Sequence, residues 1–254
     1  MVIKIKDCLI NYEVFGEGVP LLLLHGWGAC INSMAPIWQF FKTKFKVFVL
    51  DFPGQGNGSE EPKSPWGIPE YAEMVREFMN QLDIKNPHVI AHSFGGRVAI
   101  YLSSKYNDLF DKIVLVDSAG VKPRISIKKK FKIAMFKCGK GILKIITPKN
   151  KHEERLNNYR KKFASSDYGA IKSDIMRQTF SKVINLDLTN NLKDIRNPVL
   201  LMWGENDTDT PLYMGKIMEK NIPDAGLVVL KNAGHFSYID SSSEFNLIVD
   251  NFLS

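Results

Sequence analysis

A serine at a tight turn is the residue of this chain best placed to act as a nucleophile. Residues 91–96 read Ala-His-Ser-Phe-Gly-Gly and directly follow an apolar run at residues 87–90. Ala91 and Gly95, two positions before and after Ser93, are small enough for a sharp turn from a strand into a helix. Such a turn exposes the hydroxyl and directs a helix N-terminus toward it. The pattern predicts a nucleophilic serine, and a plain tight turn is the alternative for this hexapeptide.

A serine hydroxyl is a poor nucleophile at neutral pH and needs a base to remove its proton. Of the five histidines, His235 is the one that lies in a late loop, beside a glycine and after the apolar run at residues 226–230. Asp207 follows another apolar run and could fix the tautomer of that imidazole. Ser93, Asp207 and His235 would then meet at the edge where open α/β sheets bind ligands.

A loop with the sequence His-Gly-Trp-Gly, residues 25–28, follows an earlier apolar run. Its glycines leave backbone N–H groups free of side chains. The N–H groups of Trp27 and Phe94 are the pair expected to hold an oxyanion, unless the loop is a plain strand-to-loop turn. We expect His25 to support this loop through hydrogen bonds, and His92, next to the serine, to be a packing residue.

Apolar runs alternate with helical patterns, which predicts a parallel sheet with right-handed crossovers. The strands are expected in a hairpin at residues 2–16 and at residues 20–24, 46–50, 87–91, 112–116, 198–202 and 226–230, and helices at residues 70–82, 97–106 and 245–253. The segment 121–190 interrupts this alternation because it contains helical patterns and no convincing strand.

The composition fits one soluble α/β domain: 254 residues, 44% hydrophobic and 24% charged. No apolar run reaches 18 residues, and the first residues alternate as in a strand, unlike a signal peptide. Three scattered cysteines have neither metal-ligand spacing nor a disulfide pattern. These features favour a cytoplasmic protein without a metal.

The net charge of +7 is concentrated in one segment. Residues 121–195 carry 19 basic and 6 acidic side chains, whereas the rest of the chain carries 15 basic and 21 acidic ones. The contrast indicates a second structural unit inserted in the fold.

With these motifs in order, the sequence resembles the α/β-hydrolase superfamily, in particular its small esterase-like members with a helical cap. The segments that carry the resemblance are residues 25–28, 51–56, 92–96, 204–207 with Pro211, and 234–235. The resemblance implies an α/β fold with a mostly parallel central sheet of about eight strands flanked by helices. It further implies a core of residues 1–120 and 186–254 and a helical cap, residues 121–185, inserted after the sixth strand.

The resemblance assigns a role to each candidate residue. Ser93 is the expected nucleophile, His235 the general base and then acid, and Asp207 the orienting carboxylate, while the N–H groups of Trp27 and Phe94 form the oxyanion hole. Asp117 is a second possible acid, because some relatives use that position.

Two departures from the family pattern concern glycine-rich turns. Ala91 stands where the first glycine of the elbow is usual, and the glycine-rich loop after Asp51 is longer than usual. A serine at residue 93 also excludes the dehalogenases and epoxide hydrolases of the superfamily, which have an aspartate there.

The basic segment contains an amphipathic helical pattern that begins near residue 128, with an apolar stripe at Phe131, Met135, Cys138, Ile142 and Ile145. The resemblance implies that this stripe forms an apolar lid over the site, with the lysines outward. A solvated lysine face with no partner is one interpretation, and weak attraction to anionic lipid or an acidic substrate is another. No motif indicates nucleic-acid binding.

The resemblance favours a serine carboxylesterase that acts on a small-molecule ester of small or medium acyl size and needs no cofactor. A monoacylglycerol or lysophospholipid lipase-like enzyme, a carbon–carbon bond hydrolase and a perhydrolase share the same three residues and remain open. A ligand-binding or signalling protein that keeps the triad is the non-enzyme alternative. The oligomeric state is left open.

Overall fold

The computed structural model describes residues 1–56, 58–123 and 171–254, together with positions 135, 138 and 155. One sheet of eight strands runs through this part of the chain in the order β1-β2-β4-β3-β5-β6-β7-β8. The first three in this order pair antiparallel, and every pair from β4 to β8 is parallel. The predicted α/β-hydrolase fold with a mostly parallel eight-stranded sheet is therefore confirmed. The strands are β1 Val2–Ile5, β2 Cys8–Phe15, β3 Val19–Leu24, β4 Phe45–Leu50, β5 His88–His92, β6 Ile113–Val116, β7 Val199–Gly204 and β8 Ala225–Leu230.

Helices cover both faces of the sheet. The described α-helices are α1 Ala35–Phe41, α2 Ile68–Gln81, α3 Phe94–Lys105, α4 Asp174–Asn185, α5 Tyr213–Asn221, α6 Ser237–Asp240 and α7 Ser242–Leu253. One apolar cluster packs α2, α3 and α5 against one face, and a second packs α1 and α7 against the other. Strand β3 shows why its sequence is continuously apolar: Leu22 and Leu24 belong to the first cluster, whereas Leu21 and Leu23 belong to the second.

Helix α2 illustrates how local sequence sets an element that supports the site. Pro69 lies in its first turn, and the Glu70 side chain accepts a hydrogen bond from the N–H of Gly67 just before the helix. Both features favour a helix start. Its apolar side chains recur at helical spacing and are buried, so the helix lies flat on the sheet: Tyr71, Met74, Val75, Phe78 and Met79.

Most of the segment predicted to form the cap lies outside the described residues, so the division into core and cap stays a prediction. Helix α4, at its end, is described and contacts the loop before α2, because Thr179 Oγ1 accepts a hydrogen bond from Trp66 N–H at 3.0 Å. Met135 is 59% exposed and Cys138 is exposed. The rest of the predicted apolar stripe lies outside the described residues, so the lid stays a prediction.

Within the described ranges, no helix combines the length and apolar character needed to cross a bilayer.

Substitution of Leu22 by Ala should lower the free energy of unfolding by about 2–5 kcal/mol, because the side chain is fully buried in a central strand and would leave a cavity. Urea denaturation followed by circular dichroism measures this loss. Leu247, which is 65% exposed on α7, provides the matched control. Leu247→Ala should change stability by less than about 0.5 kcal/mol. Equal losses in the two variants would contradict the assignment of β3 to the centre of the core.

Candidate active site

Ser93 occupies a strained turn between β5 and α3. Its backbone has φ 49° and ψ −107°, a conformation that side-chain-bearing residues rarely adopt. The turn is possible because its neighbours are small: a Cβ atom on Gly95 would lie 2.3 Å from the carbonyl oxygen of Leu24, and one on Gly96 would lie 1.9 Å from Ser118 Oγ. Ala91, in place of the usual first glycine, is accommodated in β5 with its side chain fully buried.

The structure brings Ser93, His235 and Asp207 together from the ends of β5, β8 and β7. His235 Nε2 lies 3.0 Å from Ser93 Oγ, and His235 Nδ1 lies 2.9 Å from Asp207 Oδ2. A carboxylate can only accept, so Nδ1 carries the ring proton and Nε2 presents its lone pair to the serine hydroxyl. This is the tautomer that a base for Ser93 requires.

Asp207 is held in place by its own loop. Its Oδ1 accepts hydrogen bonds from the N–H groups of Asp209 and Thr210, and its Oδ2 accepts one from the Thr210 hydroxyl at 2.6 Å. Burial alone would raise the pKa of Asp207, but these bonds and the hydrogen bond from His235 outweigh it and lower that pKa. The carboxylate is therefore ionised at neutral pH.

The pKa of His235 is shifted in the opposite direction to that of Asp207. Burial disfavours its protonated form, but the hydrogen bond to Asp207 and the negative charges of Asp207, Asp117 and Asp209 outweigh burial and raise the pKa of His235 above its usual value. A higher pKa makes the imidazole a stronger base, and it also means that the ring becomes protonated at a higher pH than a free imidazole.

Asp117, the second possible acid, has a different position. Its Oδ1 accepts the N–H of Gly204 at 2.7 Å and its Oδ2 accepts the N–H of Ser237 at 3.1 Å, so it joins the loops that carry Asp207 and His235. Burial raises the pKa of Asp117 to about 7 despite these hydrogen bonds. The carboxylate that reaches the His235 ring is that of Asp207.

The two backbone N–H groups expected to form an oxyanion hole lie on the loops next to Ser93. Neither the N–H of Trp27 nor that of Phe94 has an acceptor among the described residues. The Trp27 loop is fixed from behind, because the Gln55 side-chain oxygen accepts the N–H of Gly28 at 2.8 Å. His25 supports the same loop as expected. Its Nδ1 donates to the Gly26 carbonyl oxygen at 2.7 Å, and its Nε2 accepts a hydrogen bond from the backbone N–H of Phe52 at 3.1 Å.

His92 makes a contact that its sequence position did not indicate. The ring is buried, as a packing residue would be, but its Nε2 lies 2.8 Å from the carbonyl oxygen of His235 and must donate to it. Burial and the neighbouring His235 lower the pKa of His92 to about 3, so the ring is neutral. His92 thus holds the backbone of the loop that carries His235.

A cavity of about 430 Å³ opens onto Ser93 and His235. Its described walls are mainly apolar. The ring centroid of Trp27 lies 5.4 Å from that of Phe94 and 5.1 Å from that of Phe180, so the three rings form a cluster. Such a cavity suits a small molecule with an apolar body. Within the described part of the chain, no group of three or more potential ligands is arranged to hold a metal ion.

Comparison with known proteins gives the family. The sequence model of the family described as alpha/beta hydrolase fold matches residues 19–164, more than half of the chain, and one described as TAP-like protein matches residues 179–254. The protein therefore belongs to the α/β-hydrolase family and is a hydrolase of that fold.

Several individual proteins are similar over nearly the whole chain. The pimeloyl-[acyl-carrier protein] methyl ester esterase of Legionella pneumophila (strain Corby) is 24% identical, over 96% of this chain and 99% of that protein. The 2-hydroxy-6-oxo-6-phenylhexa-2,4-dienoate hydrolase of Comamonas testosteroni is 24% identical, over 98% of this chain and 92% of that protein. Among solved structures, the enol-lactonase from Burkholderia xenovorans LB400 has a TM-score of 0.77 at 21% identity, over 100% of this chain and 99% of that one, and shows the shared fold.

The two aspartates can be separated by isosteric substitution. Asp207→Asn should lower kcat by roughly 10⁴-fold, because an amide in this place favours the wrong imidazole tautomer. Asp117→Asn should leave kcat within about tenfold and lower the free energy of unfolding by about 1–3 kcal/mol, because one buried N–H loses its acceptor. Turnover of p-nitrophenyl acetate and urea denaturation measure the two effects. If Asp207→Asn were harmless and Asp117→Asn abolished turnover, the acid would be Asp117.

Proposed function

We propose that this protein is a serine carboxylesterase that hydrolyses esters of small to medium acyl groups through an acyl-Ser93 intermediate. The observation that carries the proposal is the continuous hydrogen-bonded line from Asp207 through His235 to Ser93 Oγ. Beside the serine lie two backbone N–H groups that have no acceptor among the described residues. The described lining of the cavity, which is mainly apolar, supports an apolar acyl or alcohol group.

In the acylation step, Ser93 Oγ attacks the ester carbonyl carbon while His235 Nε2 takes the hydroxyl proton. The carbonyl electron pair moves onto oxygen, and the N–H groups of Trp27 and Phe94 stabilise the resulting oxyanion. When the carbon–oxygen bond to the alcohol breaks, His235 returns its proton to the leaving alkoxide. Asp207 stabilises the transient imidazolium throughout this step.

In the deacylation step, a water molecule takes the place of the alcohol. His235 removes a proton from the water as it attacks the acyl-serine carbonyl carbon, and the same oxyanion hole is used. Collapse of the tetrahedral species breaks the bond to Ser93 Oγ, which recovers its proton from His235. The products are a carboxylic acid and the free enzyme.

Similarity to two relatives bears on the choice of substrate. The esterase and the dienoate hydrolase named above have the same sequence identity to this chain, 24%. Carbon–carbon bond hydrolysis is therefore the alternative. Both reactions use Ser93, His235 and Asp207, so we favour ester hydrolysis on the resemblance of the sequence motifs to small esterase-like members of the superfamily. Cleavage of a vinylogous diketone with no turnover of any simple ester would favour the alternative.

A fluorophosphonate probe should label the native protein once per chain, on Ser93, because the probe reacts with a serine that is hydrogen-bonded to a base. Peptide mass spectrometry locates the label. Ser93→Ala should remove the labelling and leave the thermal midpoint nearly unchanged, while Ser118→Ala, a buried serine next to the site, should keep it. Absence of label from folded wild-type protein would overturn the enzyme assignment.

The pH profile should report the ionisation of His235. The base acts only when neutral, so kcat/KM should fall as the pH drops through the raised pKa of His235, with a midpoint above about 6.5. Histidine NMR gives the same ionisation directly, and His92 should stay neutral down to about pH 4 as an internal control. A midpoint clearly below 6.5 would contradict the coupling between His235 and Asp207.

A further inference from the structure

Arg97 is a buried cation in the cavity that contains Ser93. It lines this cavity and is only 6% exposed. Asp209, the other strongly charged side chain among the described lining residues, lies exposed at the surface, where water screens it. The site thus combines an apolar wall with one guanidinium that is shielded from solvent.

The guanidinium has spare hydrogen-bonding capacity. Nη1 donates to the carbonyl oxygen of Leu186 at 2.7 Å, just after α4. No carboxylate of the described residues lies within ion-pair distance of it, and Asp187, whose charge acts on it from farther away, accepts the hydroxyl and N–H of Thr189. A guanidinium has five N–H donors in a planar fork that matches a carboxylate. Among the described residues the Leu186 carbonyl is its one acceptor, so most of these donors have no partner there.

Arg97 keeps its charge in this environment. Burial lowers the pKa of Arg97 to about 10, partly offset by Asp187, which still leaves the side chain protonated at neutral pH. Among the described residues this charge has no counter-ion at ion-pair distance, and a buried charge in that situation is costly to the folded state. That cost is relieved when an anion enters the cavity.

The position of Arg97 relative to the reacting serine is fixed by the helix. Ser93 immediately precedes α3 and Arg97 lies one turn along it, so their Cα atoms are separated by about 6 Å along the helix axis. Both residues line the same cavity. An ester bound with its carbonyl at Ser93 would therefore share this cavity with the Arg97 side chain.

We propose that Arg97 binds a second, ionised carboxylate of the substrate, so that the preferred esters carry one free acid group. This inference rests on the proposed esterase function and names its substrate class. The free acid is either on the acyl side, as in a half-ester of a dicarboxylic acid, or on the alcohol side, as in an acylated hydroxy acid.

Two matched ester pairs test the proposal and separate its two arms. Monomethyl adipate and methyl hexanoate differ by a carboxylate on the acyl side; 6-acetoxyhexanoate and hexyl acetate differ by one on the alcohol side. The wild-type enzyme should prefer the charged member of one pair. In Arg97→Met, kcat/KM for that ester should fall roughly 10- to 100-fold, as expected for a charge-assisted hydrogen bond, while the neutral ester changes by less than about threefold.

Two control variants define the interpretation. Arg97→Lys keeps the charge without the fork and should retain part of the preference. Arg76→Met removes a partly exposed arginine that pairs with Glu73 on α2, and it should leave all four rates unchanged. An equal loss for charged and neutral esters in Arg97→Met would show that Arg97 only ties α3 to Leu186, and would overturn the inference.

A binding measurement keeps this inference distinct from the esterase proposal. Calorimetry with Ser93→Ala protein should detect monomethyl adipate or 6-acetoxyhexanoate binding at least tenfold more tightly than in the Ser93→Ala/Arg97→Met double variant. If the two variants differ in binding but the wild type shows neither turnover nor probe labelling, the esterase proposal is rejected and the carboxylate site is kept. Turnover of neutral esters with no such difference would do the reverse.

Discussion

The left-handed backbone of Ser93 is the constraint on which the rest of the site depends. A side chain at φ 49° is strained by an amount of order 1–3 kcal/mol, and surrounding packing must impose it. That packing is the close approach of α3 to β3, where Gly95 leaves room for the carbonyl oxygen of Leu24 and its N–H reaches the carbonyl oxygen of His25. The same contact places the N–H of Phe94 beside the serine and joins the turn at Ser93 to the Trp27 loop.

Parallel strands supply the other half of the arrangement. Because β5, β6, β7 and β8 run in one direction, the loops at their carboxyl ends meet at one sheet edge. Asp117 fastens two of those loops by accepting N–H groups from Gly204 and Ser237, and His92 fastens the loop of His235 to β5. The short distances between Ser93, His235 and Asp207 thus depend on the hydrogen bonds by which Asp117 and His92 hold the loops of Asp207 and His235.

The sequence predicted the elements well because their signals are local. Continuous apolar runs marked the parallel strands within about two residues. Polar residues in the glycine-containing loops after those runs marked the residues that the structure brings together. The link from His92 to the His235 carbonyl could not be predicted, since it joins positions far apart in the chain through a backbone atom. The burial of Arg97 had a weak sequence signal, since it lies among apolar residues on α3. Its orientation could not be predicted, because it depends on Leu186, a residue far along the chain that accepts its hydrogen bond. Periodicity shows that the stripe containing Met135 and Cys138 is apolar but not what covers it, so the lid stays a prediction.

In the proposed mechanism, Ser93 forms a covalent bond to the acyl group during turnover. Rapid mixing with p-nitrophenyl butyrate, acid quenching and peptide mass spectrometry test it directly. We expect a butyryl group on the peptide that contains Ser93 while p-nitrophenol is released, and none in Ser93→Ala. Release of p-nitrophenol at the full wild-type rate with the acyl group on another residue, or from Ser93→Ala, would contradict it.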